Sequence, residues 1–343
     1  MRDLLSTVVA ALVALGGLVA VLLVLYFLFS FLPRRWAERG HILLFLLPAL
    51  FATFIGLLVP GLRTIYQSFH SDALRNPKFV GFQNFRLIFQ QKDTRLTIIT
   101  TLTWVVVGTI VTTIVALAIA RFADGLRGES AAKSLIFVPG AISLAGAGII
   151  WKFVYAGPPF KVGLLNQVTK SIPGLPASMG GTGDHIWLLE RGLGGLKPPA
   201  TAPGFNTFLL IVIFIWAQAG IATVIFSAAI KGVPESLIEA AKVDGATSRQ
   251  AFYKVTIPYI RSTIVTVMTL ITIAGLKSYD IVAASTGGNF GTSTIANDFY
   301  NTVFLQNRDG FGAALAVLLF IMVIPVVVIN RRSQKRAEEM MAV

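Results

Sequence analysis

The chain has 343 residues, 55% of them hydrophobic and only 13% charged, with a mean hydropathy of +0.75, which is too apolar for a soluble domain of this size. It has no cysteine, which excludes disulfides, thiol catalysis and thiolate metal sites, and the scattered His41, His70 and His185 give no metal-ligand spacing. The net charge of +13 is spread over alternating loops without a nucleic-acid-binding motif, so it reads as topology charge and contact with membrane lipid, with no nucleic acid as partner.

Seven stretches, near 4–32, 41–62, 98–120, 134–155, 206–230, 262–284 and 311–330, are predicted to span the membrane. A span needs about 20 apolar residues to cross roughly 30 Å of hydrocarbon. The first is longer than the apolar core of a signal peptide, and Pro33-Arg34-Arg35 stands where a small-residue cleavage site would be expected, so a retained helix is predicted. The expected organisation is an extra helix and linker over 1–40, an all-α transmembrane domain over 41–335 and a cytoplasmic tail over 336–343.

Placing the carboxyl terminus inside puts segments 33–40, 121–133, 231–261 and 331–343 in the cytoplasm, with 15 Lys and Arg in 65 positions. The outer loops 63–97, 156–205 and 285–310 then hold 11 in 111, about half the density, as the positive-inside rule requires. Loop 63–97, with six basic residues, runs against that trend. Seven spans leave the amino terminus outside.

Loop 63–97 carries Tyr66-Gln-Ser-Phe69 and Phe79-Val-Gly-Phe82-Gln-Asn-Phe85 before an amphipathic stretch, and Trp151-Lys-Phe-Val-Tyr155 closes the fourth span ahead of Gly163-Leu-Leu-Asn166. Residues 167–204, rich in Gly and Pro, read as an irregular outer loop, a flexible connector in preference to a contact surface. In the fifth span Trp216 and Gln218 lie near the middle, and Lys277, Tyr279 and Asp280 lie toward the outer end of the sixth. Ionisable groups at such depth are costly and mark pathways, although Lys277 and Asp280 also fit an ion pair at helical spacing and Trp216 fits a packing role.

Between the fifth and sixth spans, residues 231–261 hold five basic and three acidic residues, so this segment lies in water. Pro234 suits a helix start, Gly245 a left-handed stop, Thr247 with Gln250 a capping box, and Pro258 limits the second helix. Helix, tight turn and helix are predicted. Within it, Glu235, Glu239-Ala240-Ala241, Asp244-Gly245-Ala246, Val255 and Ile257-Pro258 follow the order Glu-Ala-Ala, three residues, Gly, nine residues, aliphatic, one residue, aliphatic-Pro.

This order resembles the cytoplasmic coupling loop of binding-protein-dependent ABC importer permeases. With Ser227-Ala-Ala-Ile-Lys-Gly-Val-Pro234, Lys277-Ser-Tyr279-Asp280-Ile-Val and Thr286-Gly-Gly-Asn-Phe-Gly-Thr292, residues 41–335 resemble the larger permease of the oligosaccharide group, maltose and α-glucoside importers. The paired asparagines of maltose permeases are absent near Lys277, which points away from maltose itself.

The resemblance implies a non-catalytic, six-helix permease core that works by alternating access in a bacterial or archaeal cytoplasmic membrane. It also implies a second homologous permease, a pair of ATP-binding subunits carrying ATP and Mg, and an extracytoplasmic sugar-binding protein. No cofactor is expected in this chain, which has no Walker phosphate loop. A self-sufficient ion-coupled transporter or channel would leave the coupling segment unexplained. A membrane-embedded enzyme would need a metal cluster, a serine–histidine pair or a carboxylate dyad, and none is visible.

Overall fold

The computed structural model describes residues 46–73, 76–125, 128–159, 163–193, 196 and 198–341, with scattered positions between 16 and 42. Contacts divide the chain into two compact units, Met1–Tyr66 and Gln67–Val343. The expected first span lies largely outside the described residues; its described positions between Gly16 and Ser30 are helical.

Among the described residues regular structure is helical, apart from isolated bridges pairing His70 with Phe79 and Leu193 with Leu196. In chain order the helices are α1 (Leu46–Ser68), α2 (Gln83–Gln90), α3 (Lys92–Ala123), α4 (Glu129–Ala141), α5 (Leu144–Val154), α6 (Leu164–Lys170) and α7 (Phe205–Lys231). There follow α8 (Glu235–Val243), α9 (Ser248–Tyr259), α10 (Arg261–Leu276), α11 (Asp280–Ser285), α12 (Ile295–Tyr300) and α13 (Asp309–Met341). Of these, α1, α3, α7 and α13 are each long and apolar enough to cross a membrane, and two bent pairs, α4 with α5 and α9 with α10, raise the number to six.

Two expected spans are not single rods. The stretch 134–155 bends by 100° between α4 and α5. Ile142 turns extended (ψ 139°), and Ser143 caps α5 by accepting a hydrogen bond from the Gly146 N–H at 3.1 Å. The stretch 262–284 is helical only to Leu276. Buried Ser278 donates to the Gly275 carbonyl at 2.6 Å while its own carbonyl accepts from Thr294 Oγ1 at 2.6 Å, so a contact from the 285–310 segment holds the chain out of the helix before α11 begins. Apolar composition predicted continuity because it does not register a hydroxyl that competes for backbone groups.

Helix α7 is the centre of the main core, with Leu210, Ile213, Phe214 and Phe226 fully buried. It packs against α3, α4 and α10. An added Cβ at Gly220 would lie 2.3 Å from the Ile136 carbonyl oxygen, so α4 and α7 meet backbone to backbone there, as small residues allow between membrane helices. Trp104 sits edge-on to Phe214 at 5.6 Å, inside a π-helical turn of α3 (Trp104–Gly108), and Thr109 and Thr272 share a hydroxyl hydrogen bond at 3.0 Å between α3 and α10. A smaller core of Ile88, Ile295, Phe311, Ala314 and Leu315 joins α2, α12 and α13.

The outer segment expected as a flexible connector is instead anchored. Buried Asn166 donates to the carbonyls of Ala156 (3.0 Å) and His185 (2.9 Å) and accepts from Trp187 Nε1 at 2.8 Å. Asn206, at the start of α7, donates to the carbonyls of Leu188 (3.2 Å) and Phe290 (3.1 Å), tying this segment to the following outer loop.

Candidate functional site

The charged segment folds as the helix, turn and helix its residues predict. Pro234 immediately precedes α8 with φ −55°, and Glu235 opens the helix, where a carboxylate favours the N-terminal dipole. Two bonds close it: the Gly245 N–H to the Lys242 carbonyl (3.0 Å) and the Ala246 N–H to the Ala241 carbonyl (2.9 Å), the paired pattern of a Schellman stop. Gly245 has φ +82° with open space where a Cβ would stand, so glycine is required for its backbone conformation and not for room. Thr247 and Gln250 form the reciprocal capping box, with Thr247 N–H to Gln250 Oε1 at 2.7 Å. Helix α9 contains a π-helical turn over Phe252–Thr256, runs past Pro258 to Tyr259 and meets α10 at a bend of 69°.

Helix α8 packs on α9 and has no buried residue. Glu235, Glu239, Ala240, Asp244 and Gly245 are exposed, and Ala241 and Ala246 are half-buried. Leu237 is 43% and Val243 87% exposed, so α8 presents apolar and acidic groups together.

At the foot of α7, directly before this hairpin, Glu129 receives Lys231 Nζ at 2.6 Å and the Gly125 N–H at 3.1 Å, and pairs with Lys133, which also bonds Ser227. Lys231 additionally lies 3.9 Å from Asp124. This cluster joins the loop after α3, the start of α4 and the end of α7. Sequence reading passed over it, although the Glu129–Lys133 spacing of four is a legible helix pair.

The five candidate path residues fall into two groups. Trp216 and Gln218 are half-buried on α7. The Trp216 ring meets Trp151 edge-on at 5.7 Å and packs against the main core, a structural engagement, whereas the Gln218 amide makes no side-chain hydrogen bond among the described residues. Lys277 and Tyr279 lie in the interruption between α10 and α11, and Asp280 opens α11. Lys277 and Asp280 are both exposed and form no ion pair with each other among the described residues, because the break removes the helical face that would align them. The Tyr279 ring lies 4.6 Å from that of Tyr300 on α12. No ring contact, ion pair or hydrogen bond joins the two groups among the described residues.

Sequence reading also passed over Asp298, a half-buried carboxylate that accepts from Thr97 Oγ1 at 2.7 Å and from Ser293, and burial pushes its carboxyl above the ordinary range. It fastens the outer loop to α3. Hydroxyl partners 201 and five residues away leave no local pattern to find.

Residues 186–339 match the family described as binding-protein-dependent transport system inner membrane component. The chain is 39% identical over 300 residues to the osmoprotective compounds uptake permease protein GgtC of Synechocystis sp., covering 87% of this chain and all of that protein. It is 38% identical over 297 residues to the alpha-glucoside transport system permease protein AglF of Rhizobium meliloti, covering 85% of this chain and 82% of that one. The fold matches a chain of a bacterial alginate ABC transporter solved in complex with an alginate pentasaccharide-bound periplasmic protein, with a TM-score of 0.70 over 87% of this chain and 96% of that chain at 19% identity. With the exposed hairpin in register between two membrane segments, these likenesses identify the chain as a member of the binding-protein-dependent inner-membrane components, the permeases of ABC importers.

Proposed function

We propose that this multi-pass chain is the permease subunit of an ATP-driven importer for an α-glucoside or a related small glycoside. ATP, with Mg, is hydrolysed by a separate subunit pair docked on α8, and a second homologous permease and an extracytoplasmic binding protein complete the assembly in a bacterial or archaeal cytoplasmic membrane. The observation that carries this reading is α8 itself: a helix between two long apolar segments that has no buried residue and exposes Glu239 and Val243. The alpha-glucoside permease among its relatives supports a sugar cargo.

The hairpin transmits motion in this reading. Closure of the ATPase pair displaces α8, the Glu129 cluster carries the displacement into α4 and α7, and the bends beside Ser143 and Ile260 let the helices reorient between inward- and outward-open states. Gln218, Lys277, Tyr279 and Asp280 are proposed to line the sugar path, with Trp216 supporting it through Trp151.

Reconstitution tests this directly. ATP-dependent uptake of radiolabelled trehalose, sucrose or maltose into proteoliposomes should require this chain, its partner permease, the ATPase pair and the binding protein. Uptake catalysed by the chain alone would overturn the proposal.

A further inference from the structure

Two unpaired charges mark a face of the chain that cannot be turned to lipid. Helix α10 rises about 24 Å over its 16 residues, and Lys277 and Asp280 follow its end, inside the stretch 262–284 that the sequence predicts to span the roughly 30 Å hydrocarbon layer. Both are exposed and neither has an ionic partner among the described residues. Facing hydrocarbon, each would cost roughly 2.5 to 3.5 kcal/mol at the centre and somewhat less toward the edge. This face is therefore turned to water, to substrate or to a polar neighbour.

Between these two charged residues in the chain, Tyr279 carries one of two rings that are stacked obliquely. Tyr279 and Tyr300 have centroids 4.6 Å apart at 39°, and Tyr300 continues to Phe304 at 4.9 Å and 40°. Tyr300 is 37% exposed. It comes from α12, which returns from the outer loop, and a π-helical turn over Asn301–Leu305 follows it immediately. Such turns insert an extra residue, re-aim the side chains beside them and occur frequently at functional positions. The ring is thus presented beside Tyr279, in the segment that carries Lys277 and Asp280, by a separate element.

We infer that Tyr300 is a further specificity-determining residue, an aromatic plane that stacks against a pyranose ring while Asp280 and Lys277 hydrogen-bond its hydroxyls. The inference rests on the sugar-permease reading above. A pyranose suits this face because its axial C–H surface is apolar and its equatorial rim is polar, matching an aromatic plane flanked by a carboxylate and an ammonium group.

The test compares Tyr300→Phe, Tyr300→Leu and Tyr300→Ala in the complete reconstituted complex at saturating binding protein. Initial uptake of radiolabelled trehalose, sucrose and maltose is measured together with basal ATPase activity and complex yield. Stacking requires the ring: the Phe variant should stay within about twofold of wild type, and Leu and Ala should both lose about five- to tenfold in uptake, the scale of an aromatic contact. Both should also shift preference among the three sugars, with ATPase activity and yield unchanged. A packing role requires only volume, so a Leu variant equal to wild type in uptake and preference would overturn the inference and leave the sugar reading intact. A wild-type complex that imports none of the three sugars while importing a cargo without a pyranose ring would overturn both.

Discussion

The coupling hairpin and the polar face beside Tyr279 are both short breaks between apolar segments, yet they are built in opposite ways. The hairpin closes on itself: Gly245 bonds Lys242, Ala246 bonds Ala241 and Thr247 bonds Gln250, all within ten residues. The membrane face is held from a distance, with Thr294 bonding the Ser278 carbonyl and Tyr300 reaching Tyr279 from another helix. A local device keeps its shape when a partner grips and moves it, whereas a device assembled from several helices changes shape when those helices reorient. The first suits a handle and the second a site that must open and close.

The sharpest way to break this contrast is to destroy the hairpin's stop. Gly245→Pro cannot adopt φ +82° and loses the N–H that bonds Lys242. At about 3 kcal/mol or more, the disruption should lower uptake by roughly 100-fold while the chain still inserts. Gly245→Asn, which tolerates the left-handed region, should retain most transport. Equal uptake by the Pro variant and wild type would remove the hairpin from the mechanism.

The membrane face should respond more mildly and selectively. Gln218→Ala should reduce uptake by about tenfold and change preference among glucosides, the cost expected of one lost polar contact, with basal ATPase activity retained. Asp280→Asn should assemble normally, since no ion pair with Lys277 is broken. Poor recovery of that complex, scored by size-exclusion chromatography, would return Asp280 to a scaffolding role.

Between the two regions lies the Glu129 cluster. Glu129→Ala leaves Lys133 and Lys231 without their shared carboxylate, and the sugar imported per ATP hydrolysed should fall about fivefold, as for loss of one charge-assisted bond. An unchanged ratio would mean that motion leaves the hairpin by another route.

The smallest effect belongs to Asp298. Burial raises its carboxyl, so the fold favours the protonated form; this preference is fully present at low pH and is lost as pH rises from the ordinary carboxylate value through the raised one. Asp298→Asn removes the ionisation penalty. Thermal stability of the purified complex near pH 7 should stay equal or rise slightly, with a flatter dependence on pH above the ordinary carboxylate value of about 4. A marked loss of stability would show that the charge itself is needed.

The same contrast explains how much could be read in advance. The membrane character, the positions of the apolar segments and the whole hairpin follow from patterns within a few residues, and Pro234, Gly245 and the Thr247–Gln250 box stand where those patterns put them. The breaks at Ser143 and Ser278 did not emerge from apolar composition, because each depends on a serine taking a backbone bond. The pairing of Tyr279 with Tyr300, the Asn166–Trp187 anchor and the Asp298 clasp were invisible because their partners lie 21 to 201 residues apart. The expected Lys277–Asp280 alternative failed for a related reason, since spacing of three implies contact only while the helix continues.

The central claim is that α8 is gripped by a separate ATP-hydrolysing subunit. Because the chain has no cysteine, Val243→Cys places one thiol at an 87% exposed position of α8, and Ser178→Cys places a control on the outer segment. A short thiol-to-amine crosslinker applied to the assembled complex should join the Val243→Cys chain to the ATPase subunit in high yield, with the yield changing on addition of ATP, and should leave the Ser178→Cys chain unattached to it. Absence of the ATPase product from Val243→Cys in a complex that still imports sugar, or an equal product from both positions, would contradict the account.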